Sequence, residues 1–132
     1  MKLPASQWLV LTLLICLAGS ATSSSAVAAD RLFFDSEKAG AKHAVLVSGD
    51  EEYRTEESMP MLAKILNRKY GFKCTVLFAL AADGSGYIDS NNQQGIVGWE
   101  ALDTADLMII GTRFRSPDEA GAKYITAFLN AG

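Results

Sequence analysis

The sequence predicts an α/β domain with a parallel sheet, and three observations lead to this prediction. Three short apolar runs, "HAVLVSG", "FKCTVLFAL" and "DLMIIGT", are typical of strands that are covered on both faces. Segments with helical spacing or helix-cap residues follow each run. Loops rich in Gly, Asn and Asp separate the segments. Strands that alternate with helices form parallel sheets with right-handed crossovers, with helices on the faces of the sheet.

The first 29 residues have the pattern of a secretory signal peptide. A single Lys precedes an apolar core, and a run of small residues follows it. We expect cleavage after Ala28 or Ala29 and a secreted or periplasmic protein with no stable membrane span. One alternative is a membrane anchor, but the core is shorter than the roughly 20 residues that span a bilayer. Another is lipid modification at Cys16, but the residues before it are too bulky.

The remaining chain, residues 30–132, sets the limits on partners and stability. It holds eleven basic and fifteen acidic residues, a formal charge of −4, which argues against a nucleic-acid partner. Cys74 is the only thiol in this range, so no internal disulfide can form and the domain depends on its hydrophobic core. About 100 residues suffice for one core.

The predicted elements follow in order along this range. Residues 30–42 show no clear repeat and are interpreted as an N-terminal arm, with residues 43–132 as the α/β domain. The strand "HAVLVSG" leads into a helix for which Thr55 or Ser58 is the predicted N-cap and Gly71 the end. "FKCTVLFAL" is the second strand, and a polar loop then precedes the short helix "WEALDTA".

The last two elements are the strand "DLMIIGT" and a C-terminal helix. Ser116 is the predicted N-cap, with Pro117 at the first helical position and Glu119 three residues after the cap. Gly132 lies where a turn into a fourth strand would begin. We therefore expect a domain truncated after its third strand and following helix, with an open sheet edge that favours self-association. The alternative is a small three-layer domain that folds unaided.

Two long segments resemble a known family. They are "HAVLVSGDEEYRTEESMPMLAKILNRKYGFKCTVLF" and "DSNNQQGIVGWEALDTADLMIIGTRFR", followed by an acidic helix start. They resemble the N-terminal half of ThuA-like (trehalose utilisation) domains, which occur in exported proteins of some bacteria. The resemblance covers about residues 43–132 and is strongest at "SGDEEYR", "GWEALDTADL" and "TRFR".

The resemblance implies a flavodoxin-like, three-layer parallel sheet related to class I glutamine amidotransferases, and a role in sugar utilisation. It does not define the reaction. The amidotransferase relatives use a Cys on a sharp strand-to-helix turn, and no residue here matches it. Catalytic residues are therefore unassigned, and no cofactor is expected.

The flavodoxin-like strand order places a ligand crevice at the carboxyl ends of the first and third predicted strands. The loops that follow these strands carry carboxylates, guanidinium groups and aromatic rings, which are suited to the hydroxyls and apolar faces of a sugar. The predicted ligand-binding residues are Asp50, Glu51, Glu52, Tyr53, Arg54, Thr112, Arg113 and Arg115. The expected partner is a small carbohydrate, such as a trehalose-type disaccharide. The simpler alternative is that the acidic residues only stabilise a helix N-terminus and pair with Arg113.

The sequence gives less support for a nucleophilic or a metal site. Cys74 and His43 lie near the starts of their strands, at the rim opposite the crevice, which argues against a nucleophile–base pair. No metal site is predicted, because consecutive carboxylates point in different directions and no His lies near. Three functions stay open: a carbohydrate-processing protein, a non-catalytic sugar-binding or protein-interaction module, and an inactive reading-frame fragment.

Overall fold

The structure, a computed structural model, describes residues 30–132. The predicted signal segment and its cleavage site lie outside these residues. Four strands and two α-helices form the described part: β1 (Arg31–Phe34), β2 (His43–Gly49), α1 (Thr55–Ile65), β3 (Lys73–Phe78), β4 (Leu107–Thr112) and α2 (Glu119–Ala131). A π-helical segment, Leu66–Tyr70, continues α1, and a 3₁₀ helix, Trp99–Thr104, precedes β4.

The strands form one sheet in the order β1-β3-β2-β4. β2 lies in the centre and pairs in parallel with β3 on one side and with β4 on the other. β1 pairs antiparallel with the outer edge of β3, with Phe34 opposite Cys74. The chain thus crosses from one side of β2 to the other between β3 and β4.

The α/β class is confirmed, and two sequence predictions are corrected. The sheet is mixed rather than wholly parallel, because the segment interpreted as an arm contains β1. The sequence did not predict this strand because "RLFF" is short and lacks the alternation of a half-buried strand: Leu32 and Phe33 are consecutive and both exposed. Pairing with β3 and the ion pair of Arg31 with Glu100 hold this segment on the sheet.

Two apolar clusters cover the two faces of the sheet. Alternate side chains of a strand point to opposite faces, so Val45 and Val47 belong to one cluster and Ala44 and Leu46 to the other. The first cluster includes Trp99 and receives α2, whereas the second receives α1. The domain is therefore a three-layer arrangement around a fully buried central strand.

The helix ends differ in part from the sequence prediction. α1 begins at Thr55, but the cap position is occupied by Arg54 in a left-handed conformation. Gly71, with φ of 72°, ends the helical segment as predicted. α2 is capped by Asp118, whose Oδ1 accepts a hydrogen bond from the Gly121 N–H at 2.7 Å, and not by Ser116. The Ser116 N–H instead donates to the carbonyl of Gln93 at 3.0 Å, so the chain enters the helix two residues later.

Within residues 30–132, the outer edge of β4 has no strand partner. Leu107 and Ile110 are exposed on this strand, one on each face of the sheet. Such an edge is a template for further pairing, and self-association through it stays a prediction. None of the helices in this range is long and apolar enough to cross a membrane.

Candidate functional site

The loop after β2 is organised by Asp50. Its Oδ1 accepts hydrogen bonds from the N–H groups of Glu52 and Tyr53, at 2.7 and 2.8 Å. These bonds, the one from Tyr53 first, hold the pKa of the Asp50 carboxyl below its ordinary value, and the charges of Arg113 and Arg115 act in the same direction. The buried Asp50 carboxylate thus folds the loop, which leaves its neighbours to face outward.

Thr55 closes the same loop from its other end. Its hydroxyl oxygen accepts from the Ser48 hydroxyl at 3.0 Å and from the Asp50 N–H at 3.2 Å. Arg54, the residue before Thr55, adopts a left-handed conformation with φ of 52°. Its side chain pairs with Glu57 in the first turn of α1. Arg54 therefore contacts its own helix and does not reach the loop after β4.

The loop after β4 is joined to the loop after β2. The Arg113 N–H donates to the carbonyl of Gly49 at 3.1 Å, just beyond the last register pair of β2 and β4. The Arg113 guanidinium pairs with Glu52, and Arg115 pairs with Glu51 at 3.1 Å. We call this contact region, residues 50–53 and 112–115, the loop junction.

Arg115 is the buried member of the loop junction, with only 5% of its side chain exposed. Besides Glu51, its Nη2 donates to the backbone carbonyl of Ser90. Its Nε lies 3.0 Å from the point where a Cβ on Gly49 would be, so the side chain packs over the end of β2. Arg115 thus ties together the loops after β2 and β4 and the long loop before the 3₁₀ helix.

Arg113 has a different environment. Its side chain is 34% exposed, and its guanidinium carbon lies 4.7 Å from the centroid of the Phe114 ring, within cation–π distance. Its Nη1 contacts the Glu52 carboxylate but without hydrogen-bond geometry, so the contact is an ion pair. Glu52 is 54% exposed. Nη1 itself is buried, so a molecule that approaches from solvent reaches the pair through the remaining exposed part of Arg113 and through Glu52.

Two exposed aromatic residues flank the pair along the chain. Tyr53 follows Glu52 and is 72% exposed, and Phe114 follows Arg113 and is 65% exposed. Phe114 adopts a left-handed conformation with φ of 52°, which is strained for a bulky residue and which tertiary contacts must hold. The exposed part of the loop junction therefore offers one carboxylate, one guanidinium and two ring faces.

The structure brings most of the predicted site residues together. The two loops meet through the ion pairs of Glu52 with Arg113 and of Glu51 with Arg115. Asp50 stabilises the first loop through its hydrogen bond with the Glu52 N–H. Thr112 ends β4 beside Gly49 and is half-buried. Arg54 does not join this group, because its side chain pairs with Glu56 and Glu57 at the start of α1.

Two contributors were not among the predicted residues. Ser90 acts through its carbonyl, and a backbone acceptor leaves no trace in the sequence. Gly49 acts through the absence of a side chain, which gives Arg115 room to lie over the strand end. The Ser-Gly ending of the first apolar run was the one available sign of such a close approach.

His43 and Cys74 lie at the opposite end of the sheet from the loop junction, near the first residues of β2 and β3. The His43 ring lies between the hydroxyls of Thr104 and Thr75, at 3.0 and 2.9 Å, whereas the Cys74 side chain belongs to the cluster on the other face. Burial lowers the pKa of His43 and raises that of Cys74. The two side chains therefore do not form a nucleophile–base pair.

Within residues 30–132, no group of three or more His, Cys, Asp or Glu side chains is arranged to hold a metal ion. A cavity of about 770 Å³ lies elsewhere, between residues 80–86 and 92–97 and beside Asp30. Its lining includes none of the predicted site residues. The ion pairs, rather than an enclosed cavity, distinguish the loop junction.

Comparison of this chain with protein-family models, with curated proteins and with solved structures found no match.

Proposed function

We propose that this chain is an exported ThuA-like domain with a flavodoxin-like core, and that it handles or processes a carbohydrate at the loop junction. The observation that carries the proposal is the pairing of Arg113 with Glu52 between two loops at the carboxyl ends of β2 and β4. These loops lie where the chain changes sides around β2, which is the usual ligand position in sheets of this kind.

The chemistry of the exposed groups supports a sugar as the ligand. A hydroxyl group both donates and accepts hydrogen bonds, so it can donate to the carboxylate of Glu52 and accept from the guanidinium of Arg113. The apolar face of a sugar ring can pack on Tyr53 or Phe114, both of which are exposed. In a hydrolytic version of this function, a carboxylate would act as general base and an arginine would stabilise developing negative charge.

Replacement of Arg113 tests the proposal. We expect the full chain to bind trehalose or a related disaccharide measurably by isothermal titration calorimetry, and Arg113→Ala to lose that binding with unchanged circular dichroism. Lys123→Ala is the matched control, because Lys123 is an exposed cation paired with Glu119 on α2. Equal binding by Arg113→Ala and the unmodified chain would exclude the loop junction as the site.

A non-catalytic sugar-binding module is the second candidate. It needs only the Glu52–Arg113 pair and the exposed rings of Tyr53 and Phe114 to hold a sugar, with no catalytic role for either member of the pair. Saturable binding of a disaccharide without any turnover would favour the module. Release of a product under the same conditions would favour the processing function.

A further inference from the structure

The two arginines of the loop junction differ in their availability to a ligand. Arg115 is almost fully buried and is engaged by Glu51 and the Ser90 carbonyl. Arg113 is one-third exposed, and its contact with the protein's carboxylates is the ion pair with Glu52. An anionic ligand would therefore bind Arg113 rather than Arg115, and it would compete with Glu52 for the Arg113 guanidinium.

The balance of charge at the loop junction also disfavours an anion. Residues 50–53 contribute three carboxylates, and residues 112–115 contribute two guanidinium groups, so the formal balance is −1. The Asp50 carboxylate stays charged because backbone N–H groups stabilise it. Arg54 does not correct the balance, since its guanidinium pairs with Glu57 and lies 4.0 Å from Glu56.

We propose that Glu52 is a specificity-determining residue that makes the loop junction select uncharged polyhydroxyl ligands over anionic ones such as sugar phosphates. An uncharged sugar can bond to both members of the Glu52–Arg113 pair and leave the pair intact. A phosphate must displace Glu52 from Arg113 and then face an excess of negative charge. This inference rests on the proposed function, since it concerns the ligand of the same site.

The test compares trehalose with trehalose 6-phosphate in titrations of the full chain at low ionic strength. We expect trehalose to bind at least about tenfold more tightly than its phosphate, as is usual when like charges are brought together. Glu52→Gln keeps the size of the side chain but removes its charge and frees Arg113. We expect this variant to shift the ratio of the two affinities toward the phosphate by about tenfold.

Glu57→Gln is the matched control. It removes the same charge from a neighbouring exposed residue whose partner is Arg54, outside the loop junction. We expect it to leave the affinity ratio unchanged. An equal shift in both variants would overturn the local role of Glu52, because it would show a general effect of net charge.

The remaining outcomes separate this inference from the proposed function. Tighter binding of the phosphate by the unmodified chain would overturn the inference while it upheld a sugar site. Binding of neither compound would overturn both. A preference for trehalose that Glu52→Gln leaves unchanged would uphold the site and exclude Glu52 as the source of its selectivity.

Discussion

Arg115 is predicted to be a structural residue of the loop junction, and Arg115→Met tests this directly. Methionine retains the apolar stem that packs over Gly49 but loses the guanidinium, and with it the bonds to Glu51 and to the Ser90 carbonyl. The substitution thus removes the polar link between three loops and keeps most of the packing volume.

The size of the effect follows from the burial of this side chain. Hydrogen bonds to charged groups contribute about 1.5 to 3 kcal/mol each to stability. Two are lost, but Glu51 lies partly exposed and can be hydrated again, and methionine avoids the desolvation of a charge. We therefore expect a net loss of about 2 kcal/mol in the free energy of unfolding, or about 10 °C in Tm for a domain of about 100 residues.

Thermal denaturation followed by circular dichroism measures this loss, with Arg54→Met as the matched control. Arg54 is 71% exposed and pairs only within the first turn of α1 and its flank, so its replacement is expected to cost about 0.5 kcal/mol or less. Amide hydrogen exchange in residues 83–94 is expected to accelerate in Arg115→Met alone. Equal stability of the two variants, or an unchanged exchange rate in this loop, would refute the structural role of Arg115.

Two further predictions concern the packing of α2 and the buried His43 at the start of β2. Gly121→Ala is expected to destabilise the fold by about 1 kcal/mol, because the new Cβ would lie 2.6 Å from Cδ1 of Trp99. This loss outweighs the better helix propensity of alanine. Urea denaturation measures it, and a more stable variant would contradict the close packing of α2. Burial lowers the pKa of His43 below its ordinary 6.5, so the unfolded chain binds more protons below that pH. The contribution of His43 to stability is therefore expected to be complete above about pH 6.5 and to fall as the pH drops toward its folded-state pKa; the hydrogen bond with Thr104 and the charge of Asp106 oppose the shift, and Lys73 adds to it. His43→Gln should lose this part of the pH dependence in calorimetric scans, and a Tm profile identical to that of the unmodified chain would contradict it.

The central strands could be predicted from the sequence because they are continuous apolar runs. "HAVLVSG" coincides with β2, which is buried along its whole length. β1 could not be predicted in the same way, because its four residues gain their conformation from pairing with β3. The start of α2 was wrong by two residues, because the Ser116 N–H bonds to the Gln93 carbonyl in a loop distant in sequence.

The candidate site shows the same division between local and distant information. The meeting of Glu51 and Glu52 with Arg115 and Arg113 could be predicted, since parallel strands bring their carboxyl ends to one edge of the sheet. Their individual environments could not. Burial of Arg115 depends on Gly49 and on the Ser90 carbonyl, and the departure of Arg54 toward α1 depends on a left-handed backbone at that residue.

The position of Trp99 determines what intrinsic fluorescence can report. Trp99 is the only tryptophan among residues 30–132, and its indole N–H donates to the carbonyl of Ile96 at 3.0 Å in a largely buried setting. Gly121 of α2 packs against the ring, and Ile96 and Tyr124 belong to the same apolar cluster. Emission from Trp99 therefore monitors the docking of the C-terminal helix, whereas the exposed Tyr53 or a label on the ligand is the more direct probe of the loop junction.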